Sequence, residues 1–319
     1  MQSNLDPAIQ RALQLPSGSQ AVAASYSGSG FSSTWKITVS NNEDRHDTSK
    51  PAQYFAKTSK GSAARVMFAG EYASLNAIHT VVPSFCPAAL GHGELEDDPG
   101  TYFLVTEWLE RSSSSGSSGK GHSSMSLAAK LAKLHTTPAP VPEAHDKSMF
   151  GFSVTTCCGD TPQDNSFKAS WPEFYAENRL LAILERSEKQ NGRDSELKDL
   201  IERTAREVVP RLLGDGHLGG QQVIVPVVVH GDLWSGNRGQ GRIGSQETVE
   251  EVVFDPSASY SHSEFELGIM QMFGGFGGSF LEEYHKLVPK TEPVEEYDDR
   301  IRLYELWVIV VFLDYADCE

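Results

Sequence analysis

An apolar run that ends in a tight polar turn constrains this chain more than any other feature. It reads Val227-Val228-Val229-His230-Gly231-Asp232-Leu233-Trp234-Ser235-Gly236-Asn237. The valines read as a buried strand, and Gly231 opens a turn that presents Asp232 and, five positions later, Asn237. A second apolar run, Val252-Val253-Phe254, ends in Asp255-Pro256. Two short strands therefore carry two carboxylates and an amide at their ends. Phosphoryl transfer from a metal-bound nucleotide needs such a set: one carboxylate to accept a hydroxyl proton, and oxygen donors to hold magnesium. Over so short a stretch, a strand, a turn and polar loop residues without chemistry would read the same way.

The amino-terminal third supplies what that turn lacks. Asp6-Pro7 caps a short helix. A strand over residues 22–26 runs into Ser27-Gly28-Ser29-Gly30, and Trp35, Ile37 and Val39 then alternate with Lys36 and Thr38. Strand, Gly-rich turn and strand make a hairpin, and Gly28 and Gly30 would let its backbone approach phosphates closely. A plain hairpin turn has the same composition. In the next strand, Gln53-Tyr54-Phe55-Ala56-Lys57-Thr58, side chains alternate, so Lys57 shares a face with Phe55. A lysine on an apolar face needs a partner. The helix expected over 62–79 offers one: Met67, Glu71, Leu75 and Ile78 fall on one stripe, whereas a stripe of Phe68, Tyr72 and Leu75 would leave Glu71 at its edge. A lysine held by a helix glutamate positions nucleotide phosphates in kinase-type folds. Two solvated surface charges are the plainer alternative.

Strands expected over 90–95 and 101–106 bring the count to five, and the last runs into Glu107-Trp108-Leu109, a connector that would be the adenine-contacting hinge of a kinase. Residues 111–124 are Ser/Gly-rich and read as a flexible surface loop. Beyond it the period turns helical. Leu127, Leu131 and Leu134 share a helix that ends near His135, read as a structural histidine. Ser170-Trp171-Pro172-Glu173 has the spacing of a capping box. The layout read from the residues is α+β: a β-rich amino-terminal lobe over 1–107, a connector, and a helical lobe carrying the polar loops over 108–319.

Charge and length exclude several classes. The balance of 27 basic against 43 acidic residues gives −16, which repels nucleic-acid phosphates and anionic membranes, so neither is expected as a partner. The apolar run over 306–313 is too short to span a bilayer, and no signal peptide is evident. Cys86, Cys157, Cys158 and Cys318 show no zinc spacing and read as reduced thiols, which points to the cytoplasm.

At this point the residues match a known family. The run from His230 to Asn237, with Asp255-Pro256-Ser257-Ala258-Ser259-Tyr260-Ser261-His262-Ser263-Glu264-Phe265-Glu266-Leu267, resembles the fructosamine-3-kinase (ketosamine-3-kinase) family. Met67-Phe68-Ala69-Gly70-Glu71, Gly151-Phe152 with Thr156-Cys157-Cys158-Gly159, and Met272-Phe273-Gly274-Gly275-Phe276 are similar to its pattern as well. His-Gly-Asp with a downstream asparagine is shared with aminoglycoside and choline phosphotransferases. Trp234 and the His-Ser-Glu-Phe-Glu-Leu run are far more specific.

The resemblance implies a two-lobed, protein-kinase-like α+β fold, with a nucleotide-binding lobe over 1–107 and the catalytic loop in the lobe over 108–319. It implies ATP-dependent phosphorylation of the 3-hydroxyl of a ketosamine, either a small molecule or a glycated lysine on a protein, as a step in deglycation. It implies that Asp232 accepts the hydroxyl proton, that Asn237 and Asp255 hold magnesium, and that Lys57, supported by Glu71, holds the phosphates. It further implies that Glu107, Trp108 and Leu109 contact adenine and that Trp234 lines the sugar site, with His262 and Glu264 near it or holding loops. A kinase for another alcohol or an aminoglycoside, and an inactive nucleotide-binding protein, are the competing readings. The chain departs from the family in a Gly-rich loop without cysteine, in its long Ser/Gly tract, and after Tyr304, where Val308-Ile309-Val310-Val311-Phe312-Leu313 replaces a more polar continuation. That reads as a truncated or altered end with an uncovered apolar surface. Oligomeric state is left open.

Overall fold

Period-two alternation pairs the amino-terminal strands into one antiparallel sheet. The computed structural model describes residues 3–16, 19–26, 32–40, 51–112 and 125–316. Internal contacts divide the chain into two units, Met1–Ser126 with Arg238–Asp255, and Leu127–Asn237 with Pro256–Glu319.

The first unit holds a six-stranded sheet in the order β1 (Ser3–Asn4), β2 (Gln20–Ser25), β3 (Ser33–Ser40), β4 (Ala52–Lys60), β6 (Thr101–Glu107), β5 (Ala89–Glu94). Ile37 faces Tyr54 across β3 and β4, and Lys57 faces Leu104 across β4 and β6. One face gathers Ala23, Ile37, Val39, Ala56, Phe103 and Val105 against Ile9 of helix α1 (Pro7–Ala12). The Asp6 side chain caps α1 by accepting the Ala8 N–H at 2.8 Å. Helix α2 (Gly61–Val81) packs on β4, β5 and β6 and buries Ala64, Phe68, Leu75 and Ile78. Its buried stripe therefore runs through Phe68, and Glu71 stands at the edge.

A three-stranded sheet, β12 (Glu250–Val253), β11 (Arg238–Ile243), β7 (Leu109–Arg111), completes this unit. The sequence reading missed β1, β7 and β11. Strand β11 is Arg-Gly-Gln-Gly-Arg-Ile, whose glycines hide any alternation. Because β11 and β12 join β7, the division falls after Ser126 rather than after Glu107, and 238–255 return to the first unit.

The second unit begins with α3 (Leu127–Thr136) and a hairpin of β8 (Cys157–Cys158) and β9 (Thr161–Pro162). Helix α4 (Trp171–Glu173) continues through a π-helical stretch, Phe174–Leu181, into α5 (Ala182–Asn191). Helix α6 (Ser195–Arg203) and α7 (Val209–Leu213) follow, then β10 (Val227–Val229) paired with β13 (Ser259–Ser261), and α8 (Ser263–Phe273), α9 (Gly278–Leu287) and α10 (Tyr297–Ala316). Trp171, Tyr175, Phe265, Tyr304 and Trp307 form an aromatic core. Trp171 Nε1 donates to the Tyr304 hydroxyl at 2.9 Å, which satisfies the one polar atom of the indole.

One local expectation is corrected. Ser170 makes no side-chain cap bond, and Glu173 pairs with Lys168 at 3.0 Å instead of closing a capping box. In α10, Val308, Val310 and Val311 are buried with Leu303 and Trp307, while Ile309 is exposed; the side chains beyond Val311 lie outside the described residues. Among the described residues no helix is long and apolar enough to cross a membrane.

Candidate active site

In the first unit, β4 presents Lys57 beside Phe55, as alternation requires, and α2 brings Glu71 to meet it. Lys57 Nζ lies 2.7 and 3.0 Å from the two Glu71 oxygens and 2.6 Å from Asp255 Oδ1. Burial alone would lower the Lys57 pKa, but the Glu71 and Asp255 charges outweigh it and hold the ammonium above its usual value. Burial raises the Glu71 pKa against the pull of Lys57. Asp255 takes a left-handed backbone, φ 57°, a conformation aspartate tolerates better than most residues. Its side chain is half exposed.

These three groups stand in the wall of a pocket of about 230 Å³ that is otherwise largely apolar, lined by Tyr26, Phe55, Leu75, Trp108, Leu109 and Phe254 among others. Such a pocket, aromatic with a few fixed charges, suits a nucleobase and its phosphates. The connector that borders it is anchored by Glu107, whose Oε2 accepts the Ala88 N–H at 2.9 Å. Gly244 N–H donates to the Trp108 carbonyl and Ser112 N–H to the Gln240 carbonyl, both at 2.8 Å. Hydrogen-bonded positions alternate along an antiparallel pair, so the N–H and C=O of Leu109 turn away from β11. Gly28 and Gly30 lie outside the described residues.

In the second unit, β10 delivers His230-Gly231-Asp232. Gly231 has φ +81°, and a Cβ there would meet the Ser257 carbonyl oxygen at 2.1 Å, so only glycine fits. Asn237, in a short 3-10 turn, donates its Nδ2 to Asp232 Oδ2 at 3.0 Å and to the Asp232 carbonyl at 2.9 Å. The Asn237 Oδ1 therefore faces away from Asp232. Cys158 Sγ lies 3.8 Å from Asp232 Oδ1. The turn is held from behind by Glu266, whose carboxylate accepts the His230 N–H and, at 3.1 Å, the Gly231 N–H.

Trp234 is 38% exposed and faces Phe273, equally exposed, with ring centroids 5.9 Å apart. A Cβ on Gly236 would meet the Trp234 ring at 2.1 Å. His262 and Glu264 are both buried. His262 contacts the Tyr304 and Thr291 hydroxyls at 2.9 Å each, and burial pushes its pKa down to about 4. Glu264 accepts the Thr291 N–H at 2.8 Å and the fully buried Arg300 Nε at 2.7 Å. Burial would raise the Glu264 pKa, but His262, Arg300 and the Thr291 N–H together hold it low. Both side chains thus spend their polar atoms on protein partners, the loop-holding alternative of the sequence reading.

The chain matches the fructosamine kinase family over residues 22–316. It is 35% identical over 280 residues to a mouse ketosamine-3-kinase, a match that covers 82% of each chain. The chain belongs to the fructosamine kinase family. It is also 33% identical to a chloroplastic protein-ribulosamine 3-kinase of Oryza sativa subsp. japonica, over 79% of this chain and 66% of that one. In fold it is similar to the crystal structure of a candidate fructosamine-3-kinase from Haemophilus somnus, with a TM-score of 0.71 at 20% identity over 99% of this chain and 92% of that one. An aminoglycoside phosphotransferase, crystallised with AMP-PNP and hygromycin B, gives a TM-score of 0.50 at 12% identity, covering 92% of this chain and 86% of its own. The kinase-like α+β fold is therefore shared. The family match runs through the apolar stretch after Trp307 as well.

Asp255 in the first unit and the Asn237 amide in the second are each a hard oxygen donor of the kind magnesium takes. Among the described residues, no three His, Cys, Asp or Glu side chains gather to hold a metal unaided. Sequence reasoning overlooked Glu266 and singled out Glu264 instead. The available signal was a second acidic residue between two buried ones, Phe265 and Leu267, in the first turn of a helix.

Proposed function

We propose that this chain is an ATP-dependent kinase that phosphorylates the 3-hydroxyl of ketosamines, small-molecule or lysine-linked, as a step in deglycation. The observation that carries the reading is the Lys57–Glu71–Asp255 cluster in the wall of an aromatic pocket, in a chain of this family. The first unit binds the nucleotide and the second carries the catalytic loop. Leu109, through the backbone groups it turns away from β11, and the Glu107–Trp108 connector border the adenine. Lys57, its charge fixed by Glu71, binds phosphate oxygens, and Gly28 and Gly30 are assigned to the same nucleotide site. Asp255 and Asn237 are the oxygen donors for magnesium, which when bound neutralises charge on the phosphates.

Asp232 orients the substrate hydroxyl and accepts its proton as the oxygen bonds to phosphorus. Asn237 keeps that carboxylate in place. Trp234 lines the sugar site, and His262 and Glu264 act behind it by fixing the segment around Thr291 and Arg300. A cytoplasmic location suits the thiols of Cys86, Cys157 and Cys158. A panel of ribulosamine, fructosamine, choline and an aminoglycoside, each with Mg-ATP, tests the assignment. Turnover of a ketosamine alone is expected. Preference for the aminoglycoside or choline would overturn it.

A further inference from the structure

The hairpin that carries Cys158 touches the proposed base. Cys158 Sγ lies 3.8 Å from Asp232 Oδ1, within reach of an S–H donor, while Asn237 Nδ2 donates to Oδ2 at 3.0 Å. Each carboxylate oxygen thus has its own donor on the protein. Cys158 is buried, and that burial, with the neighbouring Asp232 charge, pushes its thiol well above the usual range. It stays protonated and can only donate to a carboxylate.

The hairpin is also rigidly referenced to the turn. Thr156 Oγ1 donates to the Ala258 carbonyl at 3.2 Å, and Gln163 Nε2 to Ser257 Oγ at 2.9 Å. Ser257 N–H in turn donates to the His230 carbonyl at 2.9 Å. The thiol and the base are therefore fixed to the same short segment, from opposite ends.

We infer that Cys158 is a positioning residue for phosphoryl transfer: its S–H sets the rotation of the Asp232 carboxylate that accepts the proton of the substrate hydroxyl. A thiol suits this task because it is a weak donor. It steers an oxygen without drawing off the basicity that proton acceptance requires. The adjacent Cys157 makes no such contact and has no part in it.

The inference rests on Asp232 as the proton acceptor, so the test includes that residue. Steady-state rates with a ribulosamine are compared for wild type, Cys158→Ser, Cys158→Val, Cys157→Ala and Asp232→Asn, with melting temperatures alongside. Valine fills the buried space without a donor; serine keeps a donor on a slightly shorter bond, so its rescue is partial. We expect Cys158→Val to lower kcat about fivefold with the KM for Mg-ATP unchanged, a loss of the size of one hydrogen bond. Cys158→Ser should lie between valine and wild type in kcat although it melts below valine, because a buried hydroxyl is costly. Cys157→Ala should match wild type in kcat. A kcat order that follows melting temperature, with valine above serine, makes Cys158 a packing residue only and overturns the inference. If Asp232→Asn keeps the wild-type rate, or wild type has no turnover, the proposed function falls and the inference with it.

Discussion

The Glu266 carboxylate accepts the backbone N–H of Gly231 at 3.1 Å, from a helix that begins 32 residues after that glycine in the chain. It accepts the His230 N–H as well, so two successive backbone donors of the turn that presents Asp232 are held by one buried carboxylate. Replacing it with an amide sets an N–H₂ group against one of two N–H donors. Glu266→Gln should lower kcat about tenfold or more while the KM for Mg-ATP changes little, because the nucleotide is held elsewhere. Steady-state kinetics with both substrates varied checks this. An unchanged kcat would mean that the turn holds its geometry without Glu266.

Lys57 meets two acidic partners, Glu71 and Asp255. Loss of Glu71 leaves the lysine tied to Asp255, the group proposed for magnesium, and takes away the anchor that aims it at phosphates. Glu71→Ala should raise the dissociation constant for Mg-ATP by about tenfold or more, as read by calorimetry. Equal affinity would show that the pair is structural.

Much of this was legible from sequence where the signal is local. A strand that ends in Gly231-Asp232 is readable because glycine turns and valine runs leave short-range marks. Lys57 was readable because it breaks the period-two apolar pattern of its strand, whereas Glu71, at the edge of the buried stripe of α2, was readable only as the partner that such a lysine needs. The contacts that fix the turn were not. Cys158 reaches Asp232 across 74 positions and Arg300 reaches Glu264 across 36, and no local periodicity encodes such pairs. Strand β11 escaped because Gly239 and Gly241 contribute no side chain to an alternating pattern. The resemblance leaves His262 and Glu264 either near the sugar or holding loops, and the long-range partners that packing gives them, Arg300, Thr291 and Tyr304, have no local mark in the sequence.

Acid should weaken the fold through His262. Burial lowers its pKa in the folded chain to about 4, against an ordinary value of 6.5. Between those two values the unfolded chain binds a proton that the folded chain refuses. Stability therefore rises with pH across this window, is fully present above about pH 6.5, and is lost as pH falls toward 4, by about 2 kcal/mol at pH 5. Melting temperature should drop between pH 7 and pH 5, and His262→Gln should flatten that slope. An equal slope in the variant would assign the acid sensitivity to other groups.

The central claim is tested most directly by the product. Wild-type protein incubated with Mg-ATP and a ribulosamine should yield the 3-phosphate, assigned by phosphorus–carbon coupling in NMR, followed by release of the free amine. Asp232→Asn should form it at least about a hundredfold more slowly. Phosphate on another hydroxyl, no turnover of any ketosamine, or an undiminished rate in Asp232→Asn would contradict the account.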